Sequence, residues 1–224
     1  MPARGGVFRP GTIAQRVTLT GTHLCGSTMN FSNCVHLCVD MQRMFAEDTD
    51  WHVDTLAGVL PAIEALTEPF PERTVFTRFV PPVAAEEAEG SWQEYYRAWP
   101  NMLRERLAPA MVDLVPSLQR FVPPAAVIDK PVYSPWWSGA LHRQLQARGV
   151  DTLVITGGET EVCVLSTLMG AIDLGYHVVL PKDAVCSSAA ETHAAMLSIY
   201  DSRFGIQLTA CTTQEVLDQW RREG

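Results

Sequence analysis

A chain of 224 residues, 47% hydrophobic and 19% charged, holds enough apolar material to bury about 70% of its unfolded surface, which excludes intrinsic disorder and a repeat array. Seventeen Lys and Arg against twenty-five Asp and Glu leave a formal charge of −8, which repels phosphate backbones at long range and favours a small-molecule partner over nucleic acid. No apolar run reaches the roughly 18 residues of a spanning helix, the N-terminus lacks an apolar signal core, and the six cysteines show no metal-ligand spacing, so the expectation is a soluble protein of the reducing cytoplasm with free thiols.

Residues 1–33, rich in Gly, Thr, Ser and Arg, read as an N-terminal arm, and residues 34–224 as one domain. From residue 34 short apolar runs alternate with helical patterns. VHLCVD over 35–40 predicts a buried strand, and 54–66 an amphipathic helix that Pro61 kinks or interrupts. RTVFTRF over 73–79 is strand-like and leads into a long connection over 80–122, whose aromatic segment 91–99 predicts a short helix. Connections of that length in compact domains are usually functional. Strands follow at 125–130, 152–156, 177–180 and 207–210, with helices at 138–148, 160–174, 189–200 and 213–220. The alternation predicts βαβ crossovers and a parallel sheet covered by helices on both faces, with ligands at the carboxyl ends of the strands.

Three reactive side chains fall at such ends. Asp40 closes the first core strand, Lys130 the third, and Cys163 lies just past the fourth, in the first turn of the next helix. Taken alone, each has a plainer reading: a buried core thiol, a turn-capping carboxylate, a solvated lysine. Together they supply a nucleophile, a general base and a countercharge. The helix N-terminus and the ammonium are both expected to lower the thiol pKa from its usual value of about 8.5.

The segments Asp40-Met41-Gln42 with Phe45, Asp129-Lys130-Pro131 with Tyr133-Ser134, and Thr156-Gly157-Gly158-Glu159-Thr160-Glu161-Val162-Cys163-Val164, continuing through Lys182-Asp183-Ala184, resemble the cysteine hydrolase branch of the isochorismatase-like superfamily. The resemblance runs from about residue 34 to 220. It implies a single three-layer α/β/α domain with a mostly parallel six-stranded sheet, a dimer or tetramer, and an Asp, Lys, Cys triad at Asp40, Lys130 and Cys163. It also implies a cis peptide at Gly158-Glu159 and an oxyanion hole from the N–H groups of Glu159 and Cys163. Phe45, Tyr133, Trp136 and Trp137 are expected to bind substrate at the mouth of the site. Trp92, Tyr95, Tyr96 and Trp99 form either a lid or internal packing, and Arg78 or Arg97 either anchors a substrate carboxylate or is a surface charge.

Metal-binding relatives carry an Asp-x-His motif with a further His. Asp50-Trp51-His52 has that spelling, but Phe76-Thr77-Arg78-Phe79 holds no second His, so neither metal nor cofactor is expected. The resulting expectation is a metal-independent amidohydrolase acting on a small linear amide, ureide or carbamoyl compound through a thioester. The competing readings are a vinyl ether hydrolase, in which the cysteine would have no part, and a catalytically idle binding protein.

Overall fold

The computed structural model describes residues 31–223. The arm assigned to residues 1–33 lies outside these except for its last three residues, as does Cys25. In chain order the described elements are β1 (Cys34–Val39), α1 (Arg43–Ala46), α2 (Leu56–Thr67), β2 (Thr74–Phe79), α3 (Ser91–Ala98), α4 (Pro116–Gln119), β3 (Ala126–Lys130), α5 (Ala140–Ala147), β4 (Thr152–Gly158), α6 (Cys163–Asp173), β5 (His177–Pro181), β6 (Val185–Cys186), α7 (Ala190–Arg203), β7 (Leu208–Cys211) and α8 (Thr213–Glu223).

The strands form one sheet in the order β3-β2-β1-β4-β5-β7, each pair parallel, with the two-residue β6 added beside the end of β4. Every residue of β1 is buried, as a parallel strand covered on both faces requires. Alternation then divides its side chains. Cys34 and Cys38 join Phe76, Ile63, Leu66, Val216 and Trp220 beneath α2 and α8. Val35, Leu37 and Val39 join Leu141, Leu145, Val164 and Leu168 beneath α5 and α6. A third apolar cluster, outside these two layers, gathers Phe79, Met44, Tyr96, Met102 and Leu103.

Pro61 does not interrupt α2, which runs unbroken from Leu56 to Thr67. The proline lies on the exposed side of the helix, as does Ala57, whose carbonyl loses its partner to the missing N–H, while Leu56, Val59, Ile63 and Leu66 keep an intact buried face. Among the described residues no helix is long and apolar enough to cross a membrane, and Cys38, Cys163 and Cys186 form no disulfide.

The sheet order reverses between β1 and β4, since one half of the chain is laid outward from β1 through β2 and β3 and the other through β4, β5 and β7. Such a switch point opens a crevice at the carboxyl ends of the two central strands.

Candidate active site

Asp40 leaves β1 with φ 52°, a left-handed conformation that Asp tolerates better than most non-glycine residues. Its Oδ1 accepts a 2.6 Å hydrogen bond from Thr77 Oγ1, and its Oδ2 lies 2.6 Å from Lys130 Nζ. Lys130 reaches there from β3 and also donates to the Val132 carbonyl at 3.2 Å and to Cys163 Sγ at 3.5 Å. The ammonium stands 5.1 Å from the centre of the Phe79 ring, and the Lys130 and Asp40 side chains are fully buried. The structure therefore brings together the three residues singled out in the sequence, from the ends of three strands.

The β4 to α6 connection sets the position of the thiol. Gly157 has φ 106°, and a Cβ there would stand 2.1 Å from the Val39 carbonyl oxygen, so only glycine lets β4 run this close to β1 at the crevice. The Gly158-Glu159 peptide is cis. Beyond it the Thr160 N–H and Oγ1 donate to the Cys186 carbonyl at 2.9 and 3.0 Å, Tyr200 Oη donates to the Thr160 carbonyl at 2.9 Å, and the Val162 and Val164 N–H groups both donate to the Glu159 carbonyl at 3.0 Å. Cys163 then opens α6. Among the described residues, neither the Glu159 nor the Cys163 N–H has a protein acceptor, and both residues border the same cavity.

That cavity has a volume of about 310 Å³. Asp40, Cys163, Gly158, Glu159, Val162, Cys186 and Ser188 form its reactive side, and Phe45, Trp51, Phe79, Tyr95, Trp99 and Tyr133 its aromatic side, with Asp50 and His52 also on the wall. Of the four residues expected to bind substrate, Phe45 and Tyr133 border this cavity. Trp136 and Trp137 do not. The turn after Tyr133 carries Trp136 onto α6, where its Nε1 donates to the Thr167 carbonyl at 2.9 Å, its ring stacks on Tyr176 at 5.8 Å, and its edge fills the space left by the missing side chain of Gly170. Trp137 is an exposed surface residue, 58% accessible.

A model of the isochorismatase domain matches residues 34–212. The chain belongs to the isochorismatase family. It is 26% identical over 208 residues to the isochorismatase family protein YwoC of Bacillus subtilis, a match covering 85% of this chain and 96% of YwoC. It is 31% identical over 124 residues to the maleamate amidohydrolase of Pseudomonas putida, covering 52% of this chain and 57% of that one. A cysteine hydrolase from Pseudomonas syringae pv. phaseolicola shares the fold, with a TM-score of 0.74 at 22% identity, covering 88% of this chain and 96% of that one.

Within this isochorismatase-family site the electrostatics differ from the sequence expectation. Burial pushes the Cys163 thiol well above the ordinary range and the Asp40 carboxylate pushes it the same way. Lys130 pulls in the opposite direction and is outweighed. The helix N-terminus does not overcome this either, because loss of water dominates at so enclosed a position. For Lys130, burial disfavours the ammonium, but Asp40 and Cys163 together hold its pKa above the ordinary lysine value. The resting site is therefore a thiol beside a buried ion pair.

The donors of the Asp50-Trp51-His52 segment do not fit a metal. His52 Nδ1 faces the Glu47 carbonyl and Nε2 faces Asp54 Oδ1, each at 3.0 Å, and Asp50 Oδ2 accepts from Asn101 Nδ2 at 3.1 Å. Among the described residues no three His, Cys, Asp or Glu side chains converge as a metal site would need.

Arg78 and Arg97 also stand away from the cavity. Arg78 is clamped by Asp129 at 2.7 and 2.9 Å and by Asp113 at 3.2 Å, and Arg97 lies 3.7 Å from Glu86. His142, His177 and His193 each contact a hydroxyl: Tyr176, Thr209 and Thr160 respectively. Thr77, Val162 and Ser188 were not singled out from the sequence. Only Thr77 carried a readable signal, as a polar residue facing inward on a strand beside the one that ends in Asp40.

Proposed function

We propose that this protein is a metal-independent cysteine amidohydrolase that cleaves the C–N bond of a small linear amide, ureide or carbamoyl compound through a thioester. The contact of Asp40, Lys130 and Cys163 beneath a small cavity carries the reading. The name of the P. putida relative supports it as an amide-hydrolysing chemistry within the family.

As Cys163 Sγ attacks the acyl carbon, its proton passes to Asp40, so the high thiol pKa of the resting site is no obstacle: the base stands within hydrogen-bonding reach. The carbonyl oxygen, becoming an oxyanion, is received by the Glu159 and Cys163 N–H groups, which have no protein acceptor of their own among the described residues. Asp40 gives the proton to the departing nitrogen, and ammonia or an amine leaves. Asp40 then takes a proton from water as the water attacks the thioester, and the thiol re-forms as the acid departs. Lys130 holds Asp40 in place and supplies the countercharge throughout.

Ammonia release across ureides, carbamoyl compounds, maleamate-like acids and simple amides tests the proposal, with a covalent adduct on Cys163 followed by mass spectrometry. Wild-type turnover with at least about a thousandfold loss in Cys163→Ala is the expected result. Hydrolysis that survives in Cys163→Ala, or turnover of a vinyl ether with no amide hydrolysed, would overturn it.

A further inference from the structure

Among the described residues the wall of this cavity is acidic and aromatic, and its one basic side chain, His52, faces Asp54 and the Glu47 carbonyl. Asp40 is matched by Lys130 beneath it, while Asp50 and Glu159 add two further carboxylates. Among the described residues no Arg borders the cavity and no Lys does so. The arginines nearest in sequence to the aromatic wall, Arg43, Arg78 and Arg97, are paired elsewhere, with Glu47, with Asp129 and Asp113, and with Glu86 respectively. Glu159 Oε1 accepts from the Ser188 N–H at 2.9 Å, and Asp50 is held by Asn101, so both carboxylates have fixed partners of neutral charge. A substrate carboxylate entering here would shed water beside like charges and find no charge-assisted donor.

The aromatic part of the lining is built for apolar contact. Trp51 is its hub, stacked on Phe45 at 6.2 Å, edge-on to Phe79 at 5.8 Å and tilted against Tyr95 at 5.8 Å. These rings are packed against one another before any ligand arrives, so binding an apolar group requires little reordering.

Resting on the amidohydrolase reading, we propose that the substrate is an amide whose acyl group is uncharged and apolar, that amides carrying a second carboxylate on the acyl side are rejected, and that Asp50 contributes to this discrimination through its charge. The maleamate-type substrate in the name of the P. putida relative is thus not the substrate class of this chain.

Crotonamide and fumaramate form a matched pair, differing by a methyl group against a carboxylate. Wild-type kcat/KM should favour crotonamide by about a hundredfold or more, the size expected for a desolvated like-charge contact. In Asp50→Asn the preference should shrink by about tenfold, the effect of one unit charge a few ångströms away in a partly solvated site. Binding of both amides to Cys163→Ala, measured by calorimetry, separates this inference from the reading beneath it. Tighter binding of fumaramate, or a preference unmoved in Asp50→Asn, overturns the inference and leaves the amidohydrolase intact. Selective binding of crotonamide with ammonia released from neither overturns the amidohydrolase reading and keeps the selectivity.

Discussion

At the scale of single residues the site is governed by charge balance among buried groups. Thiol, carboxylate and ammonium together are neutral, whereas thiolate, carboxylate and ammonium leave one uncompensated negative charge. Burial and Asp40 accordingly keep the proton on Cys163. Asp40→Asn reverses the balance, because thiolate and ammonium are then the neutral pair. The variant should therefore be alkylated by iodoacetamide at pH 7 faster than wild type, while hydrolysis falls by about a hundredfold or more with the loss of the general base. The wild-type thiol, held well above the ordinary thiol range by burial and by Asp40, should react slowly at pH 7 and gain rate as the pH rises. Slower alkylation of Asp40→Asn at pH 7, followed by mass spectrometry of Cys163, would rule out this account of the triad.

At the scale of elements, β1, β2, β4 and β5 were legible because parallel strands buried on both faces are continuous apolar runs, and turn residues such as Gly149 and Gly175 punctuate them. The two-residue β6 has no period to read. The course of the chain after Tyr133 depends on whether α6 offers a gap for an indole, and that gap is a glycine 34 positions beyond Trp136. This is why adjacency to Tyr133 misled for Trp136 and Trp137. The same layer of β1, β4 and α2 holds a group whose neutrality was not legible either. His36 lies between Thr156, at 2.8 Å, and Thr67, at 3.4 Å, and burial pushes its pKa from the ordinary 6.5 down to about 3. The unfolded chain takes a proton there below about pH 6.5, and the folded chain refuses it until about pH 3. This contribution is therefore complete above pH 6.5 and is lost as the pH falls, at up to about 1.4 kcal/mol per unit. Urea titrations from pH 7 to pH 4.5 should show wild type losing stability more steeply than His36→Gln. Parallel slopes would mean that His36 is charged in the folded protein.

At the scale of the whole molecule, the site exists only while the sheet does. Lys130 is 90 residues from Asp40 and 33 from Cys163, and the strands that carry these residues meet only through parallel pairing with the strands between them. The two helical layers share β1 and β4, whose alternate side chains belong to opposite cores, so neither layer can open without exposing the other. Each layer has its own indole. Trp220 lies between Phe31 and Phe70, at 5.6 and 5.1 Å, and Trp136 lies against Tyr176. In urea, the fluorescence change lost in Trp136→Phe and the one lost in Trp220→Phe, each taken as the difference from the wild type with its six tryptophans, should follow single transitions that coincide with one another and with the loss of amide hydrolysis. The segment 80–122 supplies Tyr95 and Trp99 to the cavity from outside those two layers, packed through its own cluster about Phe79 and Tyr96. If hydrolysis disappears at a lower urea concentration than either fluorescence signal, that aromatic wall opens as a local unit, and the sheet alone does not hold the site together.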